Sequence, residues 1–341
     1  MNSIDKETFR SVLLNWFQKN ARDLPWRKEP TIYKTIISEF MLQQTQVKTV
    51  LPYFERWMKR YPDMERLAKA DISEVIVLWS GLGYYSRAKN LHSFAQQFIK
   101  EHPSSYKELL KYKGIGSYTA AAIASIAYKE AVAVVDGNVV RVLARLENHQ
   151  DLFKSKDLAI QWAMPLAQSL VDPNYPGDFN EAMMEIGATV CSKQNPHCMS
   201  CPLHVFCKAY QAKAVEQCPR FLQPQYTSVE KKRLYISHNG NLLLELSKIG
   251  NYSLLELPEL TKERQVLLPQ LSHLFTGKRS IGTVTYTEKI YRIPKNISPV
   301  ELLSQPSFKS CKYYEAKNLE NLPLSGPHKR WIKKLIQQKL L

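Results

Sequence analysis

No stretch of the 341 residues approaches 18 uninterrupted apolar positions, so the chain offers no candidate membrane-spanning helix. Glycine is scarce, at 12 residues, and neither an internal repeat nor a low-complexity tract is present. With 44% hydrophobic residues, the chain can bury a core and is not of the disordered class. Six cysteines are too few for a disulfide scaffold. The N-terminal MNSIDKETFR has no apolar signal region and no Arg-rich, acid-poor character, so a cytoplasmic protein is expected, nucleoid-associated in a bacterial cell. Acidic residues are in deficit: 31 Asp and Glu face 47 Lys and Arg, for a formal charge of +16. Such a basic cytosolic protein usually meets a polyanion, most often nucleic acid.

The length suits two domains. Residues 5 to about 210 read as successive helices. Phe9, Val12, Leu13, Trp16 and Phe17 fall at helical spacing, as do Val47, Leu51, Phe54 and Met58. Further helices are predicted near 31–44, 72–79, 86–101, 105–112, 118–129, 137–148, 155–171 and 179–190. Segment 213–230, with Pro219, Pro224 and no clear period, suits a linker. Beyond it, β-like runs at 233–237, 241–247, 280–293 and 309–316 alternate with helical stretches near 261–272, 298–304 and 327–339, which is an α+β pattern. The basic charge is uneven: from Gln211 onward 21 Lys and Arg face 10 acidic residues. That tail is either a second nucleic-acid surface or a solvated face.

Three motifs carry chemistry. Cys191, Cys198, Cys201 and Cys207 crowd into 17 residues, a spacing that fits a cubane iron–sulfur cluster or a structural zinc site. Cys218 and Cys311 lie outside it and read as ordinary thiols. Lys113-Gly114-Ile115-Gly116-Ser117-Tyr118 separates two helices, and the Ala-rich face that follows would let them pack closely. Such a hairpin either presents backbone amides to a DNA phosphate or is a plain αα turn. Finally, Glu39 lies among apolar residues and Asp136 follows an apolar run at a predicted helix start. Desolvation raises a carboxyl pKa, whereas helix amides lower it, so one could stay protonated and the other ionised. That division is what cleavage of a glycosidic bond requires. The plain alternatives are an N-cap for Asp136 and a surface position for Glu39.

Together, Leu24-Pro25-Trp26-Arg27, Ser38-Glu39-Phe40-Met41-Leu42-Gln43-Gln44-Thr45, Gly81-Leu82-Gly83-Tyr84-Tyr85, the hairpin, Val135-Asp136-Gly137-Asn138-Val139, Phe179-Asn180-Glu181-Ala182-Met183 and the four-cysteine loop resemble the helix–hairpin–helix DNA glycosylases, most closely the MutY-type adenine DNA glycosylases. The resemblance implies a mainly α fold: a helical catalytic region over 1–212 with the helix–hairpin–helix at 105–129 and a [4Fe-4S] loop at 191–207, a linker at 213–230, and a smaller α+β Nudix-like domain over 231–341. It implies removal of adenine mispaired with 8-oxoguanine or guanine, with double-stranded DNA as partner and a monomeric enzyme. Glu39 would be the general acid and Asp136 the anion beside the anomeric carbon, with Tyr118 and Asn138 orienting them. Arg27, Glu181 and Trp26 would contact the flipped base, although a core role for Trp26 is equally open. Gln44 and Tyr84 would wedge into the duplex, and Gly114, Gly116 and Ser117 would grip the backbone. The endonuclease III-like lyases are the alternative, but they use a lysine where Tyr118 stands, and a phenol cannot form a Schiff base. A non-catalytic DNA-binding module is a further alternative.

In the C-terminal part, Leu254-Leu255-Glu256-Leu257-Pro258 resembles the family's strand ending in proline, without the preceding Trp-Gly-Gly. The family reads the oxidised base with a His-x-Phe-Ser-His stretch. Here His273-Leu274-Phe275-Thr276-Gly277 keeps Phe275 and a hydroxyl at Thr276 but loses the second imidazole. Discrimination would then be weaker, or be carried by neighbours such as Lys278. The catalytic Nudix box is absent.

Overall fold

The computed structural model describes residues 5–249, 252–268, 270–294 and 297–338. The chain divides into two compact units, Met1–Leu222 and Gln223–Leu341. The division falls inside 213–230, a stretch that also holds the strand Arg220–Phe221 and the start of another at Thr227. Among the described residues, no helix is long and apolar enough to cross a membrane.

The first unit is helical: α1 (Lys6–Asn20), α2 (Ile32–Leu42), α3 (Val47–Arg60), α4 (Met64–Lys69), α5 (Ile72–Trp79), α6 (Ser86–Glu101), α7 (Tyr106–Leu109), α8 (Ser117–Ala127), α9 (Gly137–Glu147), α10 (Lys156–Leu170), α11 (Pro176–Thr189) and α12 (Lys208–Gln211). Short strands β1 (Leu152–Phe153) and β2 (Arg220–Phe221) pair in parallel within it. Side-chain caps start many of the helices: Thr31, Asp63, Asp71, Ser105, Asp136 and Ser155 each accept a first-turn amide.

Two apolar cores organise these helices. One gathers α2 to α6 around Phe40, Trp57, Trp79 and Phe94. The other packs α1, α9, α10 and α11 around Phe9, Leu143, Phe179 and Ile186. Helix α8 lies between them, because its run of alanines keeps Ala120, Ala121, Ala122 and Ala124 fully buried at close range.

The second unit is α+β with two small sheets. Strand β3 (Thr227–Tyr235) pairs in parallel with β8 (Val284–Arg292), which pairs antiparallel with β7 (Ser272–Ile281). In the other sheet, β5 (Asn241–Ile249) pairs antiparallel with β4 (Ser237–His238), β6 (Tyr252–Glu256) and β9 (Cys311–Glu315). Helices α13 (Lys262–Leu267), α14 (Pro299–Leu302) and α15 (Gly326–Gln337) complete it. The run expected as one strand over 280–293 is mostly β8, joined to β7 by a turn at Gly282, which takes φ +59°. The helix expected over 261–272 ends at Leu267. Leu268 precedes Pro269 and takes φ −127°, ψ 71°, outside the helical region that proline disfavours for its predecessor.

Between the sheets lies a buried charge network. Arg233 Nε donates to Glu288 at 2.7 Å and its Nη2 to Glu256 at 2.8 Å, while Arg279 pairs with both carboxylates. His328 of α15 accepts the Leu257 amide on Nδ1 and faces Glu288 through Nε2 at 3.2 Å. Burial acts to raise Glu288, but His328 and Arg233 outweigh it and hold the carboxyl at about 2.

Gly187 of α11 faces the first turn of α9: a Cβ there would lie 2.6 Å from the Asn138 Cβ and 3.2 Å from its backbone. Gly187→Ala is therefore expected to destabilise the helical unit by about 1–3 kcal/mol through overpacking, measured by urea unfolding. A loss within the noise of the assay would show that α11 can shift freely.

Candidate active site

Helix α2 is apolar on nearly every side and buries Thr35 to Met41 without a break. Glu39 is carried inward with them and is 6% exposed. Its Oε2 has no hydrogen-bond partner among the described residues. Burial pushes its carboxyl up to about 8, reinforced by the nearby charges of Glu181 and Asp136 and opposed by Arg27.

Asp136 is handled differently. It is the N-cap of α9, as the plain reading proposed, and the cap fills its acceptors. Oδ1 receives the amides of Asn138 and Val139, both at 2.8 Å, and Oδ2 receives the Asn138 side-chain amide at 2.8 Å. The expected lowering of its pKa is nevertheless not the net outcome. Burial raises this carboxyl too, and the amide of Val139, the two donors of Asn138 and Arg141 only limit the rise. The contrast with Glu39 lies in the partners: Asp136 faces donors that favour the anion, whereas Glu39 Oε2 faces none.

Arg27 and Glu181 are locked to each other, Nε to Oε1 at 2.7 Å. Arg27 also reaches Glu185 at 3.1 Å, which is clamped in turn by Arg22 at 2.6 and 3.0 Å. Burial acts to raise Glu185, but Arg22 and Arg27 overcome it and keep it below its ordinary value. Glu181, paired with Arg27, is raised by its burial. The Glu185 and Arg22 part of this network was missed in the sequence. Glu185 lies four residues after Glu181 on one helix face, which is the signal that could have found it.

Glu39, Trp26, Arg27 and Glu181 line one cavity of about 370 Å³, closed also by Leu24, Ser38 and Ile126 and rimmed by Lys28 and Lys129. That volume is in the range of small-ligand sites and exceeds what one heterocyclic base fills. Trp26 belongs to both readings: it lines the cavity and packs edge-on against Phe54 at 5.3 Å. Asp136, Tyr118 and Asn138 do not line the cavity. The Tyr118 hydroxyl donates to Met184 Sδ at 3.2 Å, and burial raises it well above its ordinary value, with Glu39 and Asp136 adding to the rise. Asn138 is held between Asp136 and Arg141, which donates to its Oδ1 at 3.0 Å.

The proposed DNA-facing residues stand on three other loops. Gln44 and Tyr84 are both exposed and both take positive φ, +56° and +49°. Non-glycine residues there carry strain of about 1–2 kcal/mol each. Gly114 takes φ +91° in the hairpin, and a Cβ there would meet Asn90 at 2.5–2.9 Å. Gly116 begins α8 without a side-chain cap, which leaves the first-turn amides, beginning at Ser117, available to an external acceptor.

The four cysteines Cys191, Cys198, Cys201 and Cys207 are free thiols around one small cavity of about 30 Å³. Among the described residues, no three His, Cys, Asp or Glu side chains converge tightly enough for a single ion. Arg145, 2% exposed, donates to Cys191 Sγ at 3.2 Å and pins the loop through Ser192 and Lys193. Cys218 and Cys311 are buried elsewhere.

In the second unit Phe275 and Thr276 lie on β7 beside a bulge at His273. Phe275 is half-buried against Trp331 and Lys334, and the exposed Thr276 hydroxyl is 2.9 Å from His273 Nε2.

The profile of the HhH-GPD superfamily of base excision DNA repair proteins matches residues 37–163, a span that contains Glu39, the hairpin and Asp136. Residues 37–163 are thus similar to the HhH-GPD superfamily. The chain is 46% identical over 220 residues to an adenine DNA glycosylase of Mus musculus, covering 61% of this chain and 42% of that protein. It is 43% identical over 237 residues to an adenine DNA glycosylase of Schizosaccharomyces pombe, covering 62% and 51%. The chain thus spans about half or less of the length of these relatives. Among solved structures, a thermostable thymine-DNA glycosylase superposes with a TM-score of 0.55 at 28% identity, over 61% of this chain and 97% of that one.

The raised Glu39 carboxyl has a consequence for stability. Below pH 4.5 it is protonated in both states. As pH rises toward 8 the unfolded chain releases this proton and the folded chain does not, so stability falls across that window and levels off above it. Glu39→Gln should remove this penalty and make the protein more stable than the parent at pH 8.5, by a few kcal/mol, and nearly equal to it at pH 4. Denaturant unfolding at the two pH values checks both arms.

Proposed function

We propose that this chain is a monofunctional DNA glycosylase that hydrolyses the N-glycosidic bond of adenine mispaired with 8-oxoguanine or guanine. The observation that carries the reading is Glu39, on a cavity large enough for a base and with no partner for its Oε2 among the described residues, near enough to the charge of an Asp136 held by three N–H donors for that charge to help push its carboxyl up. The adenine leaves the stack and enters the cavity, because no acid can reach it inside the duplex. Glu39 donates its proton to N7 of the base and turns a poor leaving group into a better one. Asp136 stabilises the oxocarbenium-like charge that develops on the sugar, and water completes the hydrolysis. Asn138 fixes the orientation of Asp136, and Tyr118 keeps the site dry. Arg27 and Glu181 hold each other in one geometry against the base edge, and Gln44 and Tyr84 fill the gap in the duplex. Tyr118 offers no amine, which favours hydrolysis over Schiff-base lyase chemistry. Both similar adenine DNA glycosylases support adenine as the base.

The four-cysteine loop fits a [4Fe-4S] cluster better than a zinc ion. The four thiols line one cavity, but among the described residues no three converge as a single tetrahedral ion requires, and the Arg145 guanidinium beside Cys191 suits thiolate ligands. Cys191, Cys198, Cys201 and Cys207 would hold it, and its contribution is to fold this loop. Iron and acid-labile sulfide are expected in the purified protein, and Cys198→Ser should lower both. Zinc without sulfide would overturn the assignment.

Single-turnover base release tests the function on duplexes with A:8-oxoguanine, A:G, A:T and thymine glycol:A. Adenine should be released from the first two, with strand breaks only after alkali. Glu39→Gln and Asp136→Asn should each slow release by about 10²–10⁴-fold while duplex binding persists. Spontaneous nicking at thymine glycol would indicate the lyase alternative. Because Gly277 replaces the second imidazole of the family's reader, the rate advantage of 8-oxoguanine over guanine is expected to be smaller than in relatives with the full stretch.

A further inference from the structure

We infer that Arg87 is a positioning residue that ties the two strained loops of Gln44 and Tyr84, and through Gln43 the helix–hairpin–helix turn, into one rigid wedge; this rests on the base-flipping reading above. An exposed side chain pressed between stacked bases meets a restoring force, and only its backbone can bear it. Gln44 and Tyr84 are poorly supported for that task by their own conformations, since both are exposed and both sit in the left-handed region. A buried guanidinium joins the two loops. Arg87, in the first turn of α6 and 5% exposed, donates through Nη1 to the carbonyls of Phe40 at 3.1 Å, Met41 at 2.7 Å and Gln43 at 2.5 Å. Through Nη2 it donates to Thr45 Oγ1 at 3.0 Å and to the carbonyls of Leu82 and Gly83, each at 3.2 Å. Its acceptors therefore flank Gln44 on both sides and immediately precede Tyr84, whose ring also lies 5.4 Å from the guanidinium.

The tie extends further. The side chain of Gln43 donates to the Gly114 carbonyl at 3.2 Å and to Thr119 Oγ1 at 3.1 Å, so the hairpin is joined to the same node. The cation also lies at the C-terminal end of α2, whose last carbonyls carry the negative end of the helix dipole, and this offsets the desolvation of a buried charge. A planar fork is the feature that reaches both loops at once; a lysine keeps the charge but is a single point donor. Loss of the fork should uncouple the wedge residues without touching Glu39 or Asp136.

The test uses the full chain and a duplex with 2-aminopurine at the target adenine position opposite 8-oxoguanine, the fluorescence rise reporting unstacking. Arg87→Lys is expected to slow that rise by about tenfold, while affinity for a duplex already carrying an abasic site opposite 8-oxoguanine changes by less than about twofold. Gln44→Ala and Tyr84→Ala should each slow the rise, and Arg87→Lys combined with Tyr84→Ala should be little worse than the slower single variant, since residues of one unit are not additive. A general loss of packing would instead give additive losses and weaken both duplexes alike. Parent-like unstacking by Arg87→Lys, or additivity, overturns the inference while leaving the wedge reading intact. Parent-like unstacking by both alanine variants overturns the wedge reading itself. Should Arg87→Lys fail to fold, Thr45→Val removes one acceptor of the fork and is expected to slow the same step more mildly; a parent-like rate there overturns the inference as well.

Discussion

A buried carboxyl group whose Oε2 has no hydrogen-bond partner among the described residues sets the terms for the rest of the helical unit. Ionised and alone, Glu39 would carry an unfavourable desolvation cost in an apolar helix face, so it keeps its proton near neutrality. Its neighbours reinforce this, because Asp136 and Glu181 both add negative charge and like charges in a dry space do not all ionise together. The compensation is distributed unevenly. Asp136 receives three N–H donors, Glu181 receives one arginine, and Glu185 receives two. Opposite shifts therefore arise within one residue class: Glu39, Asp136 and Glu181 are raised by burial, whereas Arg22 and Arg27 overcome the burial of Glu185 and lower it.

Those donors are precise because rigid elements carry them. Glu39 belongs to a helix of one apolar core, whereas Asp136 and Glu181 belong to helices of the other. Small residues bring the two sets together: the alanine face of α8, and Gly187 of α11 against Asn138. The geometry of the candidate site is thus a packing property.

Much of this was legible in the residue order, and the exceptions have physical reasons. Helical spacing located α2 and α6 closely, since a buried face leaves a period that survives in the sequence. The bland reading of Asp136 is what the fold shows: it caps α9, and the cap is how the carboxylate gets its donors. The net direction of its pKa was not legible, because burial depends on what α8 and α11 bring to the site. Arg87 left no signal either. A lone arginine after Tyr84 reads as surface charge, and the acceptors it reaches come from the end of α2 with the loop after it and from a loop about forty residues further on. In the second unit, the apolar run before Pro269 mimicked a longer helix, and only the proline's constraint on Leu268 ends it.

The same logic explains the altered stretch in the second unit. At Gly277, β7 passes so close to α15 that any Cβ would meet the Trp331 indole. Trp331 is itself fixed, lying against Phe275 and beside His328, which is anchored in the buried charge network. A histidine at 277 would have to displace this tryptophan from the core, so the glycine is a packing requirement of this chain. What remains on the open face of the strand is the Thr276 hydroxyl beside the His273 imidazole. If this unit reads an oxidised base, that donor pair is the chemistry it has available. The imidazole then stands before the hydroxyl in the chain, and the position after it is closed by a core side chain.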